Sequence, residues 1–287
     1  MARLFVVGAL ILCAGCSTLP KSNKVEAFGS AVTEGSSVLN ALAETNRKYA
    51  FAIGNEEQAN FLLNGRNFQV SPGPDVFLDP DRVAFRREVV NALAGYGAAL
   101  KAAADEGAIQ KLEEASVELG EAAGKVLVAA SPVASPIVSP AIKLTSRTAG
   151  YLLGNAYAGE IQSVISSRNG DVKTIVALLK DDMEIMAGAL TYQASIYEGF
   201  KKANLAILAK DGRASKGLLY ESFLKTRQEV DELRAAAVAA SKYSKILDAI
   251  AAAHDDLAKG DGDTSKNIAM LVNLTDDVST LISAARD

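Results

Sequence analysis

Residues 172–207 read VKTIVALLKDDMEIMAGALTYQASIYEGFKKANLAI, and a single spacing runs through this stretch. Apolar and amide side chains recur at alternating steps of four and three residues, at Val172, Val176, Leu179, Met183, Met186, Leu190, Gln193, Tyr197, Phe200, Asn204 and Ile207. These steps place the side chains on one face of an α-helix. At about 1.5 Å per residue, the helix would be roughly 55 Å long. The stretch therefore predicts long helices that pack side by side.

Similar stripes on both sides of this stretch predict more helices. The next helix covers about 215–259, and the short turn before it makes the two an antiparallel hairpin. Five further helices are expected: one carrying the stripe from Val25 to Ile53, one from Asp79-Pro80-Asp81, one at 109–130, one at 141–167 that stops before Arg168-Asn169-Gly170, and one from Asp263 or Thr264.

The composition favours the same fold class. The chain of 287 residues contains 50 Ala and only seven Pro, and Ala is the best helix former. No alternating run of β-branched residues argues for a sheet. We therefore predict an all-α elongated bundle of about six to seven long helices, with one long loop (64–80) and a Pro-rich connector (131–140).

The connector belongs to an apolar segment that allows two interpretations. Residues 126–142 carry no charge and contain Ser-Pro at 131–132, 135–136 and 139–140. A proline every four residues breaks a helix. Gly150 and Gly154 follow at a spacing that lets helices approach closely. The segment is either a buried connector or a hairpin that enters a membrane.

The N-terminus has the pattern of a secretory signal. Arg3 precedes the uncharged stretch Leu4 to Leu12, and Cys13-Ala14-Gly15-Cys16 follows. An apolar core this short is well below the roughly twenty residues that a membrane-spanning helix needs. If the chain is cut before Cys16, this is the only cysteine left, so no intramolecular disulfide can form.

Ala14, Gly15 and Cys16 resemble a bacterial lipoprotein signal, in which a small residue precedes the cysteine that receives the lipid. Cys13 stands where that family usually has Leu. The resemblance implies a signal peptide at 1–15, a lipidated tether at 16–24 and a helical bundle domain at 25–287. It also implies acylation of Cys16 and, from Ser17, sorting to the outer membrane. Several acyl chains on one cysteine would anchor the protein firmly in a lipid bilayer.

The charge balance bears on the partners. The chain has 30 basic and 34 acidic residues, a net charge of −4, and the sequence shows no basic cluster. A mildly acidic chain of this kind argues against nucleic acid as a partner. Glu113, Glu114, Glu118 and Glu121 gather on one predicted helix, as a solvated face or as an acidic docking surface.

The usual marks of chemistry are missing from the sequence. His254, the only histidine, lies on the stripe between Ile250 and Leu257, where it is expected to be partly buried or near a helix C-terminus and to stabilise the helix dipole when protonated. One histidine and no second mature cysteine cannot build a typical zinc site. The pairs Asp181-Asp182, Asp255-Asp256 and Asp276-Asp277 are interpreted as solvated charge. We expect no metal, no cofactor and no catalytic residue.

The sequence thus favours a non-catalytic, membrane-anchored interaction or structural lipoprotein of the bacterial envelope. It would face the periplasm from the outer membrane and bind an envelope protein or the cell wall through helix faces. Two alternatives stay open. The first is a membrane-active, pore-forming-like protein that uses residues 126–159, and the second is an enzyme with an unrecognised site. The oligomeric state is also open.

Overall fold

The computed structural model describes residues 22–70, 80–130, 153–212, 214–260 and 264–284. Every regular element in these ranges is an α-helix: α1 (Ser22–Leu63), α2 (Pro80–Glu106), α3 (Ile109–Ala130), α4 (Leu153–Lys210), α5 (Lys216–Lys259) and α6 (Thr264–Ala284). The predicted all-α bundle is confirmed. The connector at 131–140 and the start of the helix predicted at 141–167 lie outside the described residues, as does Cys16.

One predicted boundary is wrong. α4 runs unbroken for 58 residues through Arg168-Asn169-Gly170, where the sequence predicted a stop. The side chain of Asn169 hydrogen-bonds to α5 instead of turning its own backbone, and Gly170 is not among the described glycines with positive φ. α1 begins at Ser22, so the last three residues of the predicted tether are helical.

Glycines end several helices where the sequence predicted breaks. Gly65, Gly107, Gly212 and Gly260 have φ between 63° and 71° and follow the ends of α1, α2, α4 and α5. Such a conformation strains any residue with a Cβ, so glycine is the natural residue after a helix. The hairpin of α4 and α5 therefore turns where the sequence placed it.

Cross-helix bonds define the topology. Lys180 of α4 pairs with Asp248 of α5 at 2.8 Å and Lys173 pairs with Asp255 at 2.5 Å, so α4 and α5 are antiparallel. α1 runs parallel to α4, because Glu56 pairs with Lys201 and Asn46 bonds to Gln193. α2 runs back along α1, and α6 runs back along α5 and also contacts α1. α3 packs against α2 and α4.

The helices have unequal lengths, and this divides the bundle in two. Arg86, near the start of α2, pairs with Asp182 in the middle of α4 at 2.9 Å. Beyond Asn46 and Gln193, the cross-helix hydrogen bonds and ion pairs of the described residues join only α1, α4 and α5. We call the lower part the base and the upper part, residues 46–63, 190–210 and 216–235, the arm. Over its 21 residues of α4, the arm rises about 30 Å above the base.

The base contains most of the apolar core. Leu100, Leu119, Ile165, Ile175 and Leu247 are fully buried there. The stripe predicted on residues 172–207 faces this core and continues into the arm, with Val172, Leu179, Leu190, Tyr197 and Asn204 buried. No described helix is long and apolar enough to cross a membrane.

α1 and α2 approach each other most closely at a pair of glycines. A Cβ on Gly29 would lie 2.3 Å from the carbonyl oxygen of Gly97 and 2.9 Å from the backbone nitrogen of Lys101. Both neighbours are backbone atoms, which cannot rotate away. Gly29 therefore sets the distance between the two helices.

We expect Gly29→Ala to lower the free energy of unfolding by about 1–3 kcal/mol, since the added methyl group must push α2 away. Gly95→Ala is the matched control. No atom lies within 4 Å of that Cβ position, and the better helix propensity of Ala should raise the free energy of unfolding by up to about 1 kcal/mol. Urea unfolding of both variants measures the difference. Equal stability of the two would contradict the close approach.

Candidate functional site

The only histidine lies where four helices meet in the base. His254 of α5 is fully buried, and its ring packs against Phe28 of α1 at a centroid distance of 5.6 Å. Nε2 lies 3.0 Å from the hydroxyl of Tyr96 in α2, and Nδ1 lies 3.2 Å from Oδ1 of Asn169 in α4. We call these four residues the histidine centre.

The bonds of Asn169 identify the protonated nitrogen of the ring. Its Nδ2 donates to Oδ1 of Asp255 at 2.8 Å, which leaves Oδ1 as the acceptor facing His254. Nδ1 of His254 must then carry the proton and donate, and Nε2 must accept from the hydroxyl of Tyr96. A neutral imidazole satisfies both contacts.

Burial lowers the pKa of His254 to about 3, because a protonated ring at this position would be a cation without water around it. Burial also raises the pKa of Tyr96 far above its ordinary value, so its hydroxyl keeps the proton that it donates. His254 was expected to be partly buried or near a helix C-terminus; it is fully buried and lies five residues before the end of α5. Its predicted role as a cation that stabilises the helix dipole is wrong, since the ring is neutral.

Asp255 ties the histidine centre to the end of α5. Its carboxylate accepts from Lys173 at 2.5 Å, from Asn169 and from Lys259. These hydrogen bonds, led by that of Lys173, hold the pKa of Asp255 well below its usual range. Asp256 accepts from Asn267 of α6 at 2.5 Å. The prediction that Asp255 and Asp256 are merely solvated is therefore wrong.

Arg168 is a buried charge that the sequence analysis missed. Its side chain is only 2% exposed, and Nη1 donates to Oδ2 of Asp171 at 3.0 Å. Among the described residues, Nε and Nη2 have no hydrogen-bond partner. A Cβ on Gly120 of α3 would lie 2.6 Å from Nη1, so a glycine makes room for the guanidinium. The spacing of the stripe could have indicated this burial, because Arg168 lies four residues before Val172 and so on the same helix face.

Polar side chains also pair inside the seam between α1 and α4. Nε2 of Gln193 donates to Oδ1 of Asn46 at 2.9 Å. Farther up the arm, Asn60 donates to Asn204 at 2.9 Å, and Asn204 donates to the backbone oxygen of Glu56 at 3.0 Å. The amides that interrupt the two apolar stripes therefore meet each other. Such pairs fix one register between neighbouring helices.

Between these polar pairs, two tyrosines join α1 and α4 to α5. The rings of Tyr49 and Tyr197 meet edge to face with centroids 5.6 Å apart. Tyr49 donates to Glu232 at 2.6 Å, and Tyr197 donates to Glu229 at 2.7 Å. Burial, together with the adjacent carboxylates, raises the pKa of both hydroxyls far above the ordinary value, so they act as donors.

A shallow groove of about 470 Å³ lies between α2 and α3. Arg87, Glu88 and Asn91 of α2 line it, together with Glu118 and Glu121 of α3. Two of the four clustered glutamates thus face the groove and are solvated, while Lys125 bridges to Glu88 nearby.

The tip of the arm combines exposed apolar side chains with positive charge. Leu218, Tyr220, Phe223 and Leu224 of α5 are between 44% and 63% exposed. The described residues 199–212 and 214–228 contain six basic residues against two acidic ones. These residues form no cluster in the sequence, because they are spread over two segments that only the hairpin brings together.

No group of three or more His, Cys, Asp or Glu side chains in the described ranges is arranged to hold a metal ion. No protein-family model, curated protein or solved structure matches this chain.

We expect the free energy of unfolding to fall by about 2 kcal/mol between pH 7 and pH 5. The folded-state pKa of His254 lies below the unfolded value, so the unfolded chain takes up a proton that the folded chain excludes. The loss therefore begins near pH 6.5 and continues towards pH 3. The variant His254→Gln has no histidine, so its free energy of unfolding, measured with urea at both pH values, should depend much less on pH. An unchanged slope would contradict this assignment.

We expect Asn46→Leu to lower the free energy of unfolding by about 1–2 kcal/mol, because Gln193 loses its acceptor. Adding Gln193→Leu should restore most of that loss, since two apolar partners leave no amide unpaired. Urea midpoints of the two single variants and the double variant form a double-mutant cycle. Purely additive losses would show that the two amides are not coupled.

Proposed function

We propose that the protein is a lipoprotein of the bacterial envelope that acts by contact and not by catalysis. Acyl chains on Cys16 anchor it in the outer membrane, facing the periplasm, and its helix faces bind an envelope protein or the cell wall. The resemblance of Ala14-Gly15-Cys16 to a lipoprotein signal supports the anchor.

The arm is the observation that carries the proposed mode of action. α1 starts six residues after Cys16 and spans 42 residues, which is about 63 Å of helix. The arm therefore begins on the same helix as the tether and ends far from it. Polar pairs at Asn46–Gln193 and Asn60–Asn204 hold α1 and α4 in one register along its length. A projection built in this way presents its side faces to a partner at a fixed distance from the anchor.

The histidine centre supports a structural role over a catalytic one. Both ring nitrogens of His254 are engaged by Tyr96 and Asn169, and the ring is fully buried. A general base needs a nitrogen that can reach a substrate. The enzyme alternative would need its ionisable groups elsewhere in the chain.

The membrane-active alternative depends on residues 126–159. Its described parts, 126–130 and 153–159, are the end of α3 and the start of α4, and the residues between them lie outside the described ranges. Leu127 and Val128 are exposed at the end of α3. Release of a trapped dye from liposomes tests this alternative directly.

We expect Cys16→Ser, exported under a signal that is cut before residue 16, to move the protein from the membrane fraction to the soluble fraction and to remove the acyl mass shift. Cys13→Ser is the matched control, because Cys13 lies in the peptide that is cut off. Membranes are washed with about 1 M NaCl, where charges are screened beyond about 3 Å, so that only an anchor holds the chain. A Cys16→Ser protein that stays with the washed membranes would overturn the anchor.

The same strains test contact through the arm. A photo-crosslinking residue in place of the exposed Tyr192 on α4 should yield one defined adduct in cells. The adduct should persist with Cys13→Ser and be lost with Cys16→Ser, because the anchor holds the arm near its partner. The same residue at Lys101 in the base reports on contacts away from the arm. Equal adducts at both positions would contradict a role for the arm.

A further inference from the structure

The first three turns of α5 carry a second stripe that does not face the bundle. Lys216, Tyr220, Phe223, Leu224 and Arg227 follow each other at i, i+4, i+7, i+8 and i+11, which places them on one helix face. Farther along α5, Thr226, Val230 and Leu233 are buried in the seam, and Phe223 lies at the border between the stripe and this seam, seven residues before Val230. We call the exposed stripe the tip face.

Three exposed apolar side chains lie on the tip face. Tyr220 is 63% exposed, Phe223 53% and Leu224 44%, and Leu218 adds another exposed apolar side chain in the first turn. Isolated apolar residues on a surface need no explanation, but adjacent ones within a single stripe mark an interaction surface. The aromatic and aliphatic members of the stripe stand between a lysine and an arginine.

The charge around the tip face has the opposite sign to that of the whole chain. Six basic residues stand against two acidic ones in the described residues 199–212 and 214–228, while the chain as a whole carries −4. Some of this charge is already paired, since Lys201 bonds to Glu56 and Lys202 to Glu198. Arg227 lies 4.0 Å from Asp231, the limit of an ion pair. A partner that suits this surface is anionic and also accepts apolar side chains.

A second copy of the chain does not suit the tip face. Two antiparallel stripes would place Lys216 opposite Arg227, and two parallel stripes would place each of these cations opposite itself. Either arrangement brings like charges together beside the apolar contacts. Self-association through this surface is therefore disfavoured.

The tip face combines two kinds of side chain that the surface of a bilayer binds. Tyrosine and phenylalanine settle at the boundary between headgroups and acyl chains, and lysine and arginine attract anionic headgroups. We propose that the tip face binds the surface of a bilayer that contains anionic phospholipid. The proposal goes beyond the lipid anchor and does not depend on it.

The test uses the mature chain with Cys16→Ser, exported under a signal that is cut before residue 16, so that no acyl group contributes. Sedimentation with vesicles of phosphatidylglycerol and phosphatidylcholine should remove this protein from solution, and pure phosphatidylcholine vesicles should not. Binding should weaken steeply as salt rises. Circular dichroism confirms that each variant keeps its helices.

Two pairs of variants separate the tip face from the bulk charge of the protein. Lys216→Gln with Arg227→Gln should lower partitioning onto the anionic vesicles roughly 25-fold, because each basic residue near such a surface contributes a factor of about five. Lys101→Gln with Lys111→Gln removes the same charge from exposed positions in the base and should change partitioning less than about twofold. Tyr220→Ser with Phe223→Ser should also weaken binding, while Ile185→Ser with Tyr192→Ser, on α4, should not.

Several results would overturn the proposal. One is a protein that fails to bind anionic vesicles, or that binds neutral vesicles equally well. Another is equal loss in the tip and base variants, which would indicate bulk charge alone. If the protein does not bind vesicles but Tyr220→Ser abolishes a dimer or an adduct with an acidic envelope protein, the tip face binds a protein instead. Failure of the anchor gives a different signature, namely a wild-type chain without an acyl mass shift.

Discussion

The hydrogen bonds of Asn169 determine how the rest of the bundle can be built. An Asn-Gly pair usually ends a helix, because the amide side chain competes for backbone groups and glycine permits a turn. Here the amide is occupied on both sides, by Asp255 and by the neutral ring of His254. α4 therefore continues to Lys210 and reaches the arm. Without these hydrogen bonds, the Asn-Gly pair would be free to divide the longest helix into two.

Paired polar side chains also hold the helices of the arm together. Its apolar core is thin, and the buried residues above Tyr197 and Val230 in the described chain are the polar Asn204 and Thr226. Amide pairs give less stability than apolar packing but tolerate only one register. The arm is therefore better suited to holding a surface in position than to forming a deep core. Its stability depends on α1, α4 and α5 extending from a well-packed base.

The proposed functions use opposite ends of one helix pair. In the proposal, the acylated Cys16 precedes α1, whose first turns lie in the base, while the tip face begins α5 at the far end of the arm. In the base, ionisable side chains bind one another: Lys173 with Asp255, and Arg168 with Asp171. The tip contains exposed cations next to exposed aromatic rings. Chemistry that could interact with a partner thus lies where the apolar core is smallest.

The fold class, most helix ends and the hairpin could be predicted from the sequence, because periodic spacing and terminal glycines are local signals. The sequence also placed Asn46, Gln193 and Asn204 on the correct stripes, without indicating that they meet. The folded chain was needed to reveal that α4 is continuous, that His254 is neutral, that Arg168 is buried and that basic residues gather at the tip. Each of these depends on a neighbour distant in the chain, such as Asp255 for Asn169 or Gly120 for Arg168. Local spacing shows which face a residue occupies, but burial and partners are set by the helix that packs against that face.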